Sequence, residues 1–216
     1  LYGMKSTKNV TLDMMINHAI SVRKGVLRSL LVVDMPHKTY QNKKIALKNA
    51  RKIIKYTKCD AVKLEGGKRV INIIKHLIKK KIPVMGHLGI LPQSEKGKFR
   101  YKGKLLNERK RIFNEAKLLS NSGVFAIVLE CIETSLSKLI TKSIKVPTIG
   151  IGSSKYCDGQ ILVTDDMIGL SDIQPKFVKV YANLKKIIEK SVKSYYKDVK
   201  NKKFPTSKNI YQLKSK

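Results

Sequence analysis

The sequence predicts an α/β fold assembled from parallel βα units. Three observations carry that expectation. Short runs of β-branched and other apolar residues alternate with stretches of helical periodicity, as in strands joined by crossover helices. Most of the runs end in a polar residue able to do chemistry, and in parallel βα folds functional groups gather at the carboxyl ends of the strands. About six strands can be counted in 216 residues, with the pattern already under way at residue 1. A (β/α)8 barrel typically has about 250 residues. The count fits a barrel without its first two strands; a smaller doubly wound sheet is the alternative from pattern alone.

Residues 11–24, TLDMMINHAISVRK, place apolar side chains at helical spacing, with Thr11 as N-cap and Gly25 as stop. SLLVVDMP follows as a strand ending at Asp34. Residues 42–57 form an amphipathic helix with Ile45, Leu47, Ala50, Ile53 and Ile54 on its apolar side. DAVKLEGG is a strand carrying Lys63 and Glu65; KRVINIIKHLIKKK is a helix whose closing lysines suit the negative end of its dipole. IPVMGHLG, with His87, is the next strand. ILPQSEKGKFRYKGK then reads as a long loop on the strand-end side, a common place for a lid.

Residues 106–121 are helical and stop at Ser122-Gly123. FAIVLEC is a strand ending at Glu130, and TSLSKLITKSI a short helix with Thr134 or Ser135 near its cap. VPTIGIGSS is a strand entering a turn through Gly150 and Gly152, and DGQILVTDDMIG supplies a last short strand. Residues 175–199 form a lysine-rich helix. The expected organisation is a barrel domain over 1–200 and a tail over 201–216.

Composition excludes several classes. Apolar residues make up 42%, enough for a packed core. No apolar run approaches the roughly 20 residues that span a bilayer, and the opening LYGMKSTKNV lacks the pattern of a signal peptide. Cys59, Cys131 and Cys157 are scattered without metal-ligand spacing, as expected of free thiols in a cytoplasmic protein. Because the chain begins with Leu and no strand precedes the first helix, it is expected to be a fragment without its amino-terminal part.

The net charge of +31 raises the possibility of nucleic acid as a partner. Lysine supplies 39 of the 46 basic residues, however, and lies on almost every helical stretch, while arginine, the usual base and phosphate fork, is scarce. No zinc spacing or RNA-binding aromatic motif is present. A solvated lysine surface, with no specific nucleic-acid site, is the expectation.

Five strand-end residues are candidates for chemistry. Asp34 and Glu65 are two carboxylates from consecutive strands, a reasonable site for Mg²⁺; salt bridges to lysine are the competing reading. Lys63 shares a face with Glu65 and suits a substrate carboxylate or a Schiff base, or else an ion pair with Asp34 or Glu65. Glu130 follows the apolar run AIVL, whose surroundings would raise its pKa and make it a better general base. His87 lies between two glycines, which admit a ligand or another backbone. His18, His37 and His76 lack such context and are read as surface or packing residues. The GIG at 150–152 lacks a phosphate-loop spacing and reads as room for ligand beside the site.

VVDMP, VKLEGG, VMGHLG with LPQS just after, VLEC, and PTIGIGSS followed by CDGQILVTDDMIG resemble the 3-methyl-2-oxobutanoate hydroxymethyltransferase (ketopantoate hydroxymethyltransferase) family in order and spacing. The opening YGMKSTKNVTLDMMINHAISVRKG, the PKFVKVY segment and the FPTSKNIY tail resemble it too, so the likeness covers essentially the whole chain. The resemblance implies a (β/α)8 TIM barrel of the phosphoenolpyruvate/pyruvate superfamily with about six of eight strands present, in a large homo-oligomer, usually a decamer. It implies transfer of a hydroxymethyl group from 5,10-methylenetetrahydrofolate to 3-methyl-2-oxobutanoate, giving 2-dehydropantoate for pantothenate and coenzyme A synthesis, through an enolate stabilised by Mg²⁺.

Residue by residue, Asp34 matches the aspartate that binds Mg²⁺ and lies against the oxo acid. Lys63 matches the substrate-binding lysine, Glu65 the second metal-side carboxylate, Glu130 the proton acceptor, and His87 a pocket histidine. The family's Gly-Asp-Ser motif, which supplies a further metal ligand and a substrate contact, does not occur in the sequence. The resemblance therefore describes the parent protein and leaves open whether this piece acts alone. The competing classes are another Mg²⁺-dependent lyase or mutase acting on a 2-oxo acid, and a basic nucleic-acid-binding protein.

Overall fold

The computed structural model describes residues 3, 4, 6–93 and 100–211. The chain divides into two compact units, Leu1–Ile161 and Leu162–Lys216. The expected tail, 201–216, lies wholly within the second.

The first unit alternates helix and strand: α1 (Leu12–Gly25), β1 (Val32–Asp34), α2 (Lys43–Thr57), β2 (Ala61–Glu65), α3 (Ile71–Lys79), β3 (Val84–Gly89), α4 (Leu106–Ser120), β4 (Ala126–Glu130), α5 (Thr134–Ser143), β5 (Thr148–Ile151) and β6 (Gly159–Gln160). The strands form one sheet in the order β1-β2-β3-β4-β5-β6, every neighbouring pair parallel. This order separates the two architectures that pattern alone leaves open. A doubly wound sheet reverses its strand order at a switch point, and no reversal occurs here. With right-handed crossovers, consecutive order puts every connecting helix on one face. The fold is six consecutive strands of the (β/α)8-barrel type.

Local chemistry sets the element ends. The Thr11 hydroxyl accepts a hydrogen bond from the Met14 N–H (3.2 Å), and the Asn42 side chain accepts from that of Ile45 (2.9 Å); each satisfies an orphan donor of a first helical turn. Helix α1 runs through Gly25 instead of stopping before it. Helix α5 is capped by Glu133, not by Thr134 or Ser135, its carboxylate accepting from the N–H groups of Ser135 and Leu136. On α2, Ala46, Ala50 and Ile53 are buried, whereas Ile45 falls on the exposed side.

The two faces of the sheet differ. Val33, Val62, Leu64, Ile127 and Leu129 join Ile53, Ile74, Leu77, Leu119 and Ile140 of the helices in one core. Full burial of such side chains contributes roughly 1.5–3 kcal/mol each. Alternation along the strands turns their neighbours Lys63, Glu65, Val128 and Glu130 to the opposite face. Beyond β3, residue 102 is tied to the end of β4: Lys102 N–H donates to Cys131 O (2.8 Å), and Glu133 N–H to Lys102 O (2.9 Å). The lid expected in this stretch falls partly on 94–99, outside the described residues.

In the second unit, α6 (Thr164–Met167) and α7 (Leu184–Lys200) are joined by an irregular segment. That segment, 168–183, includes 175–183, where the sequence suggested helix; the helix begins after Asn183, whose side chain accepts from Lys186 N–H (3.2 Å). Among the described residues, no helix is long and apolar enough to cross a membrane.

Candidate active site

Strand register brings the five predicted side chains onto one face. Asp34 is level with Lys63, Glu65 with His87, and Glu130 with Gly89. Lys63 Nζ lies 2.7 Å from Asp34 Oδ1 and 3.2 Å from His87 Nδ1. A lysine ammonium only donates, so Nδ1 is the accepting nitrogen and the imidazole carries its proton on Nε2. That nitrogen lies 3.1 Å from Glu130 Oε2. The approach lacks the alignment of a hydrogen bond, so among the described residues Nε2 is a buried polar atom without a partner. The 3.9 Å approach of Nδ1 to Glu65 Oε1 is too long to be a hydrogen bond. Lys63 therefore pairs with Asp34, one of the two ion-pair partners expected from sequence, and spans towards His87.

Burial dominates the electrostatics. It pushes the Glu130 carboxyl up to about 7, against a smaller pull from the Lys63 charge. Glu65 is likewise raised to about 7 by burial, with Lys63 and the Gln93 N–H opposing. His87, its side chain only 2% exposed, is lowered to about 3 by burial and by the neighbouring ammonium. It is therefore neutral near pH 7, in keeping with its acceptance from Lys63. The arrangement offers a poised carboxylate base at Glu130, a cation at Lys63 and a neutral imidazole between them.

Two residues that sequence reasoning missed complete the cluster. Gln93 N–H donates to Glu65 Oε2 (3.1 Å), its side-chain Nε2 donates to Met35 O (3.0 Å), and its Oε1 accepts from Tyr40 OH (3.1 Å). Burial, with the Glu65 charge adding to it, raises the Tyr40 phenol to about 12. The signal for Gln93 lay in the LPQS segment after the β3 strand; nothing in the sequence marked Tyr40. Tyr40 also lines a cavity of about 340 Å³ together with His37, Lys38, Gln41, Arg69, Val70 and Ile73.

Gly86, Gly89 and Gly150 make room for protein atoms, and Gly89 admits another backbone, one of the two alternatives that the sequence offered. Gly89 has φ +105°, and a Cβ there would collide with the Glu130 carbonyl oxygen. At Gly86 it would press on Leu119 Cδ1 at 3.1 Å. At Gly150 it would meet the Gln160 amide at 2.9 Å and Cys157 Sγ at 3.2 Å. Gly150 thus accommodates protein side chains, which corrects the reading of GIG as ligand space. The three cysteines are free and buried.

Among the described residues, no group of three or more His, Cys, Asp or Glu gathers to hold a metal. Mg²⁺ needs fewer: one or two carboxylates, with water and substrate oxygens completing its shell. Asp34 and Glu65 fit that demand in kind. Both offer hard oxygens on one face of adjacent strands, and Glu65 is buried while the nearby ammonium pairs with Asp34 instead. A cation would relieve the burial that raises Glu65.

Residues 1–207 match the sequence profile of the family described as Ketopantoate hydroxymethyltransferase. The chain is 63% identical over 211 residues to a 3-methyl-2-oxobutanoate hydroxymethyltransferase of Pelagibacter ubique, covering 98% of this chain and 82% of that protein. It is 47% identical to the enzyme of the same name from Anaplasma marginale, covering 98% and 77%. Among solved structures, phosphonopyruvate hydrolase in complex with oxalate and Mg²⁺ superposes with a TM-score of 0.54 at 11% identity, covering 96% of this chain and 74% of that one. 2,3-Dimethylmalate lyase, a member of the PEP mutase/isocitrate lyase superfamily, does so at 0.52 and 9%, covering 99% and 74%. These two likenesses agree with the α/β-barrel fold expected from sequence.

Proposed function

The chain belongs to the ketopantoate hydroxymethyltransferase family, and from that premise we propose that its strand-end cluster transfers a hydroxymethyl group from 5,10-methylenetetrahydrofolate to 3-methyl-2-oxobutanoate, giving 2-dehydropantoate. The carrying observation is the pairing of a base with a cation: Glu130, raised to about 7, stands 3.1 Å from a neutral His87 that Lys63 holds by its other nitrogen.

The reacting carbon of the oxo acid, C3, carries a weakly acidic C–H beside the 2-oxo group. Glu130 takes that proton, and its raised pKa makes it a stronger base than an ordinary carboxylate. The C3 carbanion, delocalised onto the 2-oxo oxygen, then attacks the methylene carbon of the folate as one of its two C–N bonds opens, and the proton held by Glu130 passes to the freed nitrogen. Water then displaces the second nitrogen, supplying the hydroxyl group and releasing tetrahydrofolate. Lys63 offsets the negative charge of the substrate and holds its pose. His87 presents its unpartnered Nε2–H towards the same space, a donor available to developing negative charge. Asp34 and Glu65 would hold Mg²⁺, which when bound supplies Lewis acidity towards the 2-oxo and carboxylate oxygens. Asp34 also orients Lys63 through their 2.7 Å contact.

We infer further that the protein works as a homo-oligomer in pantothenate synthesis. The family membership supports this reading.

The first step can be isolated from the second. In D₂O without folate, the protein with Mg²⁺ should exchange the C3 proton of 3-methyl-2-oxobutanoate for deuterium, read by NMR. Glu130→Gln should abolish the exchange. Product formation should then require methylenetetrahydrofolate; carbon–carbon cleavage or rearrangement of a 2-oxo acid in its absence would favour a lyase or mutase instead.

A further inference from the structure

Gln93 is buried at 7% exposure and takes part in three hydrogen bonds that converge from different parts of the chain. Its side-chain Nε2 is fixed to the Met35 carbonyl just past β1 (3.0 Å), and its Oε1 to the Tyr40 hydroxyl ahead of α2 (3.1 Å). Its own main-chain N–H points at Glu65 Oε2 at the end of β2 (3.1 Å). An amide side chain tied at both ends cannot rotate without breaking a bond, so the backbone at residue 93 is held in place. A loop N–H aimed at a buried carboxylate is otherwise free to drift, because no strand or helix hydrogen bonds fix it.

We propose that Gln93, braced by Tyr40, is a positioning residue that sets the orientation of the Glu65 carboxylate for the metal. The inference rests on the proposed role of Glu65 as a metal-side ligand. The clamp orients one carboxylate oxygen by occupying it with an N–H, which leaves Oε1 to face the site. Partners of this outer kind typically change metal affinity or activity by about 10–100-fold when removed. Tyr40 acts one step further out: its hydroxyl fixes Oε1 of Gln93 and thereby the amide plane.

The test uses the full chain and Mn²⁺ as a paramagnetic stand-in for Mg²⁺, with free Mn²⁺ read by electron paramagnetic resonance without substrate. Glu65→Gln, Gln93→Met and Tyr40→Phe are compared with the parent. The expected result is a Kd raised about 10–100-fold in Gln93→Met and several-fold in Tyr40→Phe, with thermal unfolding within a few degrees of the parent. A side chain with only a packing role would shift unfolding and leave Kd alone. If Glu65→Gln weakens Mn²⁺ binding and Gln93→Met does not, the positioning role is overturned. If Glu65→Gln itself has no effect, the metal reading of Glu65 fails instead. Hydrogen–deuterium exchange of the peptide containing residue 93 then decides separately: faster exchange in both Gln93→Met and Tyr40→Phe upholds the clamp, and unchanged exchange overturns it.

Discussion

Two glutamates three residues apart at the end of β4 have opposite electrostatic fates. Glu133 is saturated: it accepts from Arg109 Nη1 (2.6 Å), Ser135 Oγ (2.6 Å), Ser135 N–H (2.9 Å) and Leu136 N–H (3.0 Å). Burial pushes its carboxyl up, but those donors outweigh it and bring the pKa to about 2. Among the described residues, Glu130 has only a misaligned imidazole nitrogen at 3.1 Å, and burial lifts it to about 7. A carboxylate that caps a helix and anchors an ion pair is held firmly ionised. One that is mostly buried, with few aligned donors among the described residues, holds its proton more tightly. Deeper burial at Glu130 and the richer supply of donors at Glu133 together separate the two acids.

Swapping each carboxylate for an amide should break this contrast most visibly at Glu130. Glu130→Gln should lower kcat by about 10²–10⁴-fold, the usual contribution of a positioned base, with thermal stability unchanged or raised, since a neutral amide suits the pocket. Steady-state kinetics with a thermal melt checks both; a loss below tenfold would move the base elsewhere. Lys63→Met comes next. It removes the cation that faces both Asp34 and His87, and should cost about 10–100-fold in kcat/KM for the oxo acid, as expected for one charge-assisted hydrogen bond.

The pH responses of the two regions should run in opposite directions. As a base, Glu130 must be ionised, so kcat/KM should rise about tenfold per pH unit up to about 7 and then level. Stability follows the reverse sign. The folded pKa values of Glu65 and Glu130, about 7, exceed the ordinary 4.5, so the folded state holds these protons more tightly. Their stabilisation is present in full below about 4.5 and is lost as pH rises through about 7, on the order of 3 kcal/mol for each group acting alone. Glu133 contributes the other way: its stabilisation is present above 4.5 and is lost as pH falls towards 2. Urea titrations between pH 4 and 8 should show the first effect, and Glu130→Gln should flatten it.

The site was largely legible in the sequence because parallel strands impose a rule: alternate residues at their carboxyl ends share a face. Asp34 is level with Lys63, Glu65 with His87 two residues on, and Glu130 two residues beyond that, so all five fall on the same face at the strand ends. The sheet order decided between barrel and doubly wound architecture, which local periodicity cannot do. LPQS marked Gln93 without its role, and nothing marked Tyr40, because their contacts depend on how two loops fold back over the strand ends. The role of Gly150 depends likewise on where Gln160 and Cys157 return to the sheet. The cap of α5 lies beside Thr134, as expected, but the capping residue is Glu133 for an energetic reason. Thr and Ser are the favoured N-cap residues, but a glutamate held by Arg109 and aimed at two free N–H groups supplies the same acceptor with a charge attached.

That cap gives the smallest effect and the cleanest control. Glu133→Ala removes the acceptor for two first-turn N–H groups and leaves Arg109 with Gly103 O and Ser135 Oγ. The loss should be about 1–2 kcal/mol, typical of an N-cap deletion, and a chain of this size should melt roughly 2–8 °C lower. Turnover per folded molecule should not change, because no proton or charge of the reaction passes through this carboxylate. A drop in kcat at unchanged folded fraction would mean that the Lys102 bridge, which Glu133 N–H joins to the end of β4, transmits strain to Glu130. The two glutamates would then be one coupled unit, and the separation of structural from functional carboxylate would fail.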